Sequence, residues 1–427
     1  MNHEVLELIG KSEIGRRTFM ERTAQSMLGV GIGVPFLKGV NGYGQETEKG
    51  GGKAKSLIYI YLSGGMTHLD TFDPKKDGSD VMGKTTTLTT ESDVKLGDKM
   101  VNLAKHGDKI SVINSMSSIN GAHEQGRYIM RTGYNKRATI VHPTMGPMAE
   151  KYLGRRGDVL PDSVVVGQST SSAGYLDPSL APLPIGDPTG GVPNTTTSTS
   201  EERFESRMNM AQKLGQKFVD KYKYVGPQSY VEYYDQAQTL LKSGALDAFD
   251  ISGEPNREAY GESRLGQGCL LARKLVEKGV RVVEVISGGW DMHEDIATRL
   301  ESQIPPLDQA LAALINDLSE RGLLDSTLIA VGTEFGRTPN INMNGGRDHY
   351  PAAYSTMLAG GGIVGGQVYG STDKQGKKPK DPVKPEDFIA TIGHGLGIPQ
   401  EETIYSPTQR PFTWANDGVP VTKLFGA

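Results

Sequence analysis

From Leu57 to Leu62 the chain is an unbroken apolar and aromatic run that ends in Ser63-Gly64-Gly65. Absence of alternation predicts a strand over 56–62 buried on both faces, as in a parallel sheet. Shorter runs predict strands at 110–113 and 163–166. Clearer ones lie at 281–286, running into Ser287-Gly288-Gly289, and at 327–331, running into Gly332-Thr333-Glu334. A last strand, 355–358, leads into Ala359 and three glycines. Helical spacing fills the gaps: Leu270 to Lys278 stops at Gly279, Ile304 to Glu320 stops at Gly322, and Pro385 to Leu396 stops at Gly397. Each stop is a glycine, the residue that closes a helix at least cost. Strands alternating with helices predict an α/β fold with a doubly wound, mainly parallel sheet.

Two stretches break this rhythm. Residues 189–255 open with a Thr/Ser run, Thr195 to Ser200, and continue in charged helical stretches, Glu201 to Lys223 and Tyr230 to Lys242. They read as a helical insertion on the α/β core, with the Thr/Ser run as a solvated loop. Gly370 to Pro385, rich in Lys and Asp, reads as a surface loop. The N-terminus differs again: Arg16-Arg17-Thr18-Phe19 precedes a weakly apolar run from Ala24 to Leu37. It resembles a twin-arginine export signal, so residues 1–50 are expected to be signal and linker and 51–427 the folded domain. The expected partner there is the twin-arginine export machinery, and the expected location is periplasmic or extracellular. An amphipathic first helix is the alternative.

Composition narrows the functions. The net charge of −4 is spread along the chain without a basic stripe, which argues against nucleic acid. No stretch reaches the ~18–20 continuous apolar residues of a membrane span. The lone Cys269, in the apolar run Cys269-Leu270-Leu271-Ala272, excludes an intramolecular disulfide or a multi-cysteine metal site and reads as buried packing.

In open parallel sheets ligands bind beyond the carboxyl ends of strands, so the polar residues there are the candidates. After the first strand, His68, Asp70 and Asp73 follow Gly64-Gly65 and are either ligands, substrate-binding groups or capped-turn residues. After the second, His123 and Arg127 lie one turn apart at an expected helix start, where amide N–H groups favour an anion. After the strand ending at Ile286 comes Trp290-Asp291-Met292-His293, an acid–imidazole pair whose O and N donors suit zinc first, or manganese or iron. After Val331 comes Glu334, and soon after it a second such pair, Asp348-His349.

At these residues the chain resembles an exported bacterial family known as domain of unknown function 1501, which is similar by fold to alkaline phosphatases and sulfatases. Matching stretches are Ser63 to Lys75, Ser115 to Tyr134, Tyr260 to His293, Thr327 to Pro339 and Gly346 to Gly362. Anchored on Thr132-Gly133, the sulfatase motif Cys-x-Pro-Ser-Arg puts its nucleophile at His123 and its arginine at Arg127. The two first-strand Asp ligands of sulfatases correspond to Gly64 and Gly65, and their Ser-Asp-His-Gly motif corresponds to Thr333-Glu334-Phe335-Gly336. The second metal site of alkaline phosphatases is matched better, by Asp291, His293 and His349. The resemblance implies one divalent metal held by Asp291, His293 and His349, with Glu334 and Asp348 completing the shell or orienting histidines. On that resemblance His123 would be a nucleophile, a general acid–base or a fourth ligand, and Arg127 would clamp an oxyanion. It also implies a hydrolase of phosphate or sulfate esters acting on an anionic small-molecule or glycan ester. A non-catalytic, degenerate relative serving as an exported binding or assembly module is the alternative.

Overall fold

The structure is a computed structural model that describes residues 52–167, 171–193, 195, 199–222 and 235–426. The proposed export signal lies outside these residues. The core is an eight-stranded sheet of β1 (Ser56–Leu62), β2 (Ile110–Met116), β3 (Ser163–Val166), β4 (Leu183–Ile185), β5 (Val282–Ser287), β6 (Thr327–Gly332), β7 (Tyr354–Ala359) and β8 (Val368–Tyr369). Its order is β8-β2-β7-β6-β1-β5-β3-β4. All neighbours pair parallel except β7, which runs antiparallel to both β2 and β6. The expected α/β class and mainly parallel sheet are thus what the chain adopts, with one reversed strand inside it.

The unbroken apolar runs have a simple cause. β1 sits in the middle of the sheet, so Ile58, Ile60 and Leu62 enter one core while Leu57, Tyr59 and Tyr61 enter another. Ile329 and Val331 of β6 divide from Leu328 and Ala330 in the same way. Each fully buried side chain of this size contributes roughly 1.5–3 kcal/mol, so both faces must be covered by helices.

The first core is covered by α4 (Arg264–Glu277) and α5 (Ile296–Glu320). The second is covered by α1 (His123–Thr132), α2 (Met145–Leu153) and α6 (Pro385–Leu396). Cys269 is fully buried in the first core, as its apolar setting implied. The charged insertion supplies α3 (Glu201–Tyr222), and residues 235–242 are helical as well.

Two boundaries differ from the sequence reading. α4 begins at Arg264 rather than Leu270, because Ser263 caps it by accepting from the Gly266 amide at 3.0 Å. α5 begins at Ile296 rather than Ile304 and runs through Pro305 and Pro306. Buried Ile296 and Leu300 continue the apolar stripe of Ile304, Leu307 and Leu311, so packing outweighs the two lost N–H donors. No described helix is long and apolar enough to cross a membrane.

Topology places the site. β1, β2, β5 and β6 all end at one edge of the sheet, and reversed β7 begins there. Four segments therefore meet at that edge: the start of α1 after β2, the turn after β5, the segment after β6, and the residues before β7. His349 reaches the edge on a two-residue ribbon, His349–Tyr350, paired antiparallel with Gly336–Arg337.

Candidate metal centre

His123 is the first residue of α1, which lies close enough for Gly126 to press on Glu334; a Cβ there would meet Glu334 Cβ at 2.9 Å. His123 Nδ1 is 2.8 Å from Glu334 Oε1. Glu334 is fully buried and also accepts from Tyr61 Oη at 2.9 Å and the Gly64 amide at 2.8 Å. Burial alone would raise its pKa, but the His123, Tyr61 and Gly64 hydrogen bonds hold it below the usual range. Glu334 therefore stands as a carboxylate and accepts a hydrogen bond from His123 Nδ1–H. The other ring nitrogen, Nε2, is buried and has no hydrogen-bond partner, and Asp291 Oδ2 lies 3.3 Å from it.

The same pattern repeats. His293 Nδ1 lies 2.8 Å from Asp348 Oδ1, and His349 Nδ1 lies 2.9 Å from the Gly121 carbonyl, to which it must donate. Three imidazoles thus have Nδ1 engaged by an acceptor, which fixes ring orientation and leaves Nε2 for a ligand role. All three Nε2 atoms turn toward Asp291. They lie 3.3 Å from its Oδ2 (His123), 3.0 Å from Oδ1 (His293) and 3.4 Å from Oδ1 (His349). His293 and His349 bring their Nε2 atoms to 3.1 Å of each other. The ligand atoms of His123, Asp291 and His349 all lie within 4.8 Å of one another, a spacing able to hold a metal ion. The orphaned His123 Nε2 and the N/O donor set fit a zinc, manganese or iron ion.

Arg337 is the cation the sequence reading passed over. It is fully buried and donates from Nη2 to Asp291 Oδ1 at 2.5 Å, from Nε to the Gly65 carbonyl at 2.9 Å, and to the Gly64 and Arg347 carbonyls. Burial pushes the Asp291 carboxyl upward, but the Arg337 hydrogen bond and charge, aided by His123 and His293, bring it down to about 2. For His123, the Glu334 hydrogen bond raises the pKa against the opposing effect of burial. The signal for Arg337 was its place three residues beyond Glu334; what its guanidinium touches depends on backbone carbonyls of the turn after β1, which no local pattern reveals.

Other expected residues lie elsewhere. Asp70 is buried behind the centre, accepting from Thr67, Thr85 and Arg347 Nε (3.1 Å), so it anchors the segment carrying Asp348 and His349 rather than facing substrate. Asp73 pairs with Lys75 at 2.7 Å and with Thr372, and His68 Nε2 donates to the Gly376 carbonyl at 2.9 Å. Both are structural here, tying the turn after β1 to residues 371–380. Asp348 contacts His293, not Asp291. Arg127 lines a cleft with Tyr61, Ser63 and Ser287, whose lining includes neither His123 nor His349.

A family model described as "Protein of unknown function (DUF1501)" matches residues 54–425. No curated protein matches the chain. Among solved structures, the PsFucS1 sulfatase from Pseudoalteromonas sp. aligns with TM-score 0.38 and 12% identity over 83% of this chain and 75% of its own. The lipoteichoic acid synthase LtaP from Listeria monocytogenes aligns with TM-score 0.36 and 11% identity over 90% and 79%. The alkaline phosphatase of the Antarctic bacterium TAB5 aligns with TM-score 0.36 and 11% identity over 82% and 99%.

Proposed function

This chain belongs to the DUF1501 family, and from its own site geometry we propose that it is a metal-dependent hydrolase of phosphate or sulfate esters, exported on the strength of its Arg16-Arg17 segment. The observation that carries the reading is the orphaned Nε2 of His123, aimed at Asp291 beside His293 and His349, with Nδ1 of each ring already engaged. A ring held by Glu334 and left without a partner at Nε2 is arranged for a ligand, not for packing.

In this reading His123, Asp291 and His349 hold one divalent ion, zinc, manganese or iron, with His293 beside them. When bound, the ion supplies Lewis-acid polarisation of an ester oxygen. Arg337 is a fixed positive charge on Oδ1 of Asp291, the oxygen that His293 and His349 also face, and it stabilises negative charge there. Glu334 and Asp348 hold the proton on Nδ1 of His123 and His293 respectively, so neither ring can turn. The coordination role suits His123 better than attack on substrate, since its Nε2 faces a carboxylate only 3.3 Å away.

A second reading has one observation in its favour: Asp291 is already neutralised by Arg337, so the cluster is electrostatically satisfied as a binding or assembly module without catalysis. Elemental analysis of the full chain, followed by assay with p-nitrophenyl phosphate and p-nitrophenyl sulfate, separates the two. The hydrolase reading expects one metal per chain and turnover of at least one ester. Protein that takes up no zinc, manganese or iron and hydrolyses neither ester would refute it.

A further inference from the structure

β1 and β5 end side by side at Leu62 and Ser287, and the residues just beyond them, Ser63 and Gly288, help line a cleft of about 900 Å³. Arg127 and Arg131 reach it from α1, Arg264 from the first residue of α4, and Gln303 from α5. Among the described residues, three guanidinium groups line the cleft and no carboxylate does, on a chain whose net charge is −4.

The three arginines are not equivalent. Arg131 is held by the buried Glu284 carboxylate through Nε and Nη2, so its charge is matched. Arg264 donates to the Gly186 carbonyl and has no ion pair among the described residues, though its charge helps lower the pKa of Asp187. Arg127 has no ion pair among the described residues, and its Nε is buried without an acceptor. A buried donor of this kind costs stability until an acceptor reaches it. The 14-residue helix α4, capped at Ser263, adds the positive end of its dipole at the same wall. Tyr61 joins the two regions: it lines the cleft, and its hydroxyl donates to the Glu334 carboxylate that holds His123.

We propose that this cleft is an oxyanion subsite that holds a second anionic group of the substrate, so the enzyme acts on esters carrying at least two anionic groups. The role as a substrate subsite rests on the hydrolase reading; the oxyanion site itself does not. Arg127 provides the bidentate fork, Arg264 and the α4 amides the surrounding positive potential, and Ser63, Ser287 and Gln303 the hydroxyl and amide partners.

Two titrations test it on the full chain. In chelator-treated protein, calorimetry with inorganic sulfate, inorganic phosphate and acetate reads the subsite without any metal. At least one should bind saturably, and Arg127→Gln should weaken it about tenfold, the loss expected for one charge-assisted contact. Arg264→Gln, at the exposed wall, should weaken it less, both variants should keep wild-type metal content, and neither should melt below the wild type. In metal-loaded protein, glucose bisphosphate should bind about tenfold tighter than glucose monophosphate, and Arg127→Gln should erase that difference. Saturable binding that is unchanged in Arg127→Gln, or no saturable binding of any of the three anions, would overturn the subsite. Intact anion binding in protein that takes up no metal would instead sink the hydrolase reading and leave the subsite standing.

Discussion

At the scale of single residues, the centre is built by what stands behind each ligand. Asp291, His293, His349 and His123 were visible in the sequence because each follows or precedes a strand beside glycines. Their orienting partners were only half visible: Glu334 and Asp348 could be named, but Gly121 contributes a backbone carbonyl and Arg337 touches carbonyls of the distant turn after β1. These are tertiary contacts without a local signature. Glu334→Gln tests the orienting role. An amide can still accept from His123 Nδ1, but it loses the charge that favours the ring's donor form and must also accept from Tyr61 and the Gly64 amide. Metal affinity should fall 10–100-fold while the circular dichroism spectrum stays that of the wild type. Chelator competition reads the affinity, and an unchanged value would remove Glu334 from the centre.

At the scale of elements, the closeness of the loops is set by residues without side chains. Gly64 has φ +124°, a region L side chains rarely adopt, and a Cβ there would lie 2.4 Å from the Asp291 amide nitrogen. The sequence showed that something approaches the backbone here, though not that it is the turn carrying Asp291. Gly64→Ala should therefore displace that turn, costing about 2 kcal/mol or more in denaturant unfolding and weakening metal binding with it. Retention of both properties would mean the two loops do not meet as described. The segment after β1 carries a second dependence, on pH. Burial lowers the His68 pKa to about 3, against 6.5 for the free side chain, so the folded ring stays neutral where the unfolded one takes a proton. Stability is unaffected above pH 6.5 and falls as pH drops from there toward 3. The loss should reach about 2 kcal/mol by pH 5. His68→Gln, which keeps a donor for the Gly376 carbonyl, should flatten this slope in urea titrations at pH 7 and pH 5. An identical slope in the variant would assign the acid sensitivity to other groups.

At the scale of the whole molecule, the sheet's class and most of its strands were legible because two-sided burial leaves unbroken apolar runs. The reversal of β7 and the two short edge strands, β4 and β8, were not, since direction and edge pairing depend on partners far away in sequence. That reversal is what delivers His349 to the edge where Asp291 waits, so the centre exists only in the assembled fold. The N-terminal reading has its own test. Replacing Arg16 and Arg17 by Lys should leave precursor in the cytoplasm, as fractionation and immunoblotting would show, whereas normal export would dismiss the twin-arginine assignment.

A centre assembled from four segments joins distant parts of the chain, and an ion that binds it binds the folded state alone. Such a ligand stabilises the fold by RT ln(1 + [L]/Kd), about 2.7 kcal/mol when free metal is a hundredfold above Kd. Chelation should therefore lower the melting temperature of metal-loaded protein, and added zinc, manganese or iron should restore it with a concentration dependence that returns the Kd. His349→Ala removes one ligand from a half-buried ribbon without disturbing either core, so the variant should melt close to the chelated wild type and gain little from added metal. Arg337→Met should behave differently: it strips the fixed charge from Asp291 and leaves the Gly64 and Gly65 carbonyls without their donor. Its melting temperature should fall even in chelator, by the cost of unsatisfied buried acceptors. Calorimetric scans of the three proteins with and without metal separate ligand from scaffold, and a wild-type transition indifferent to every one of the three metals would show that the cluster is complete with Arg337 alone.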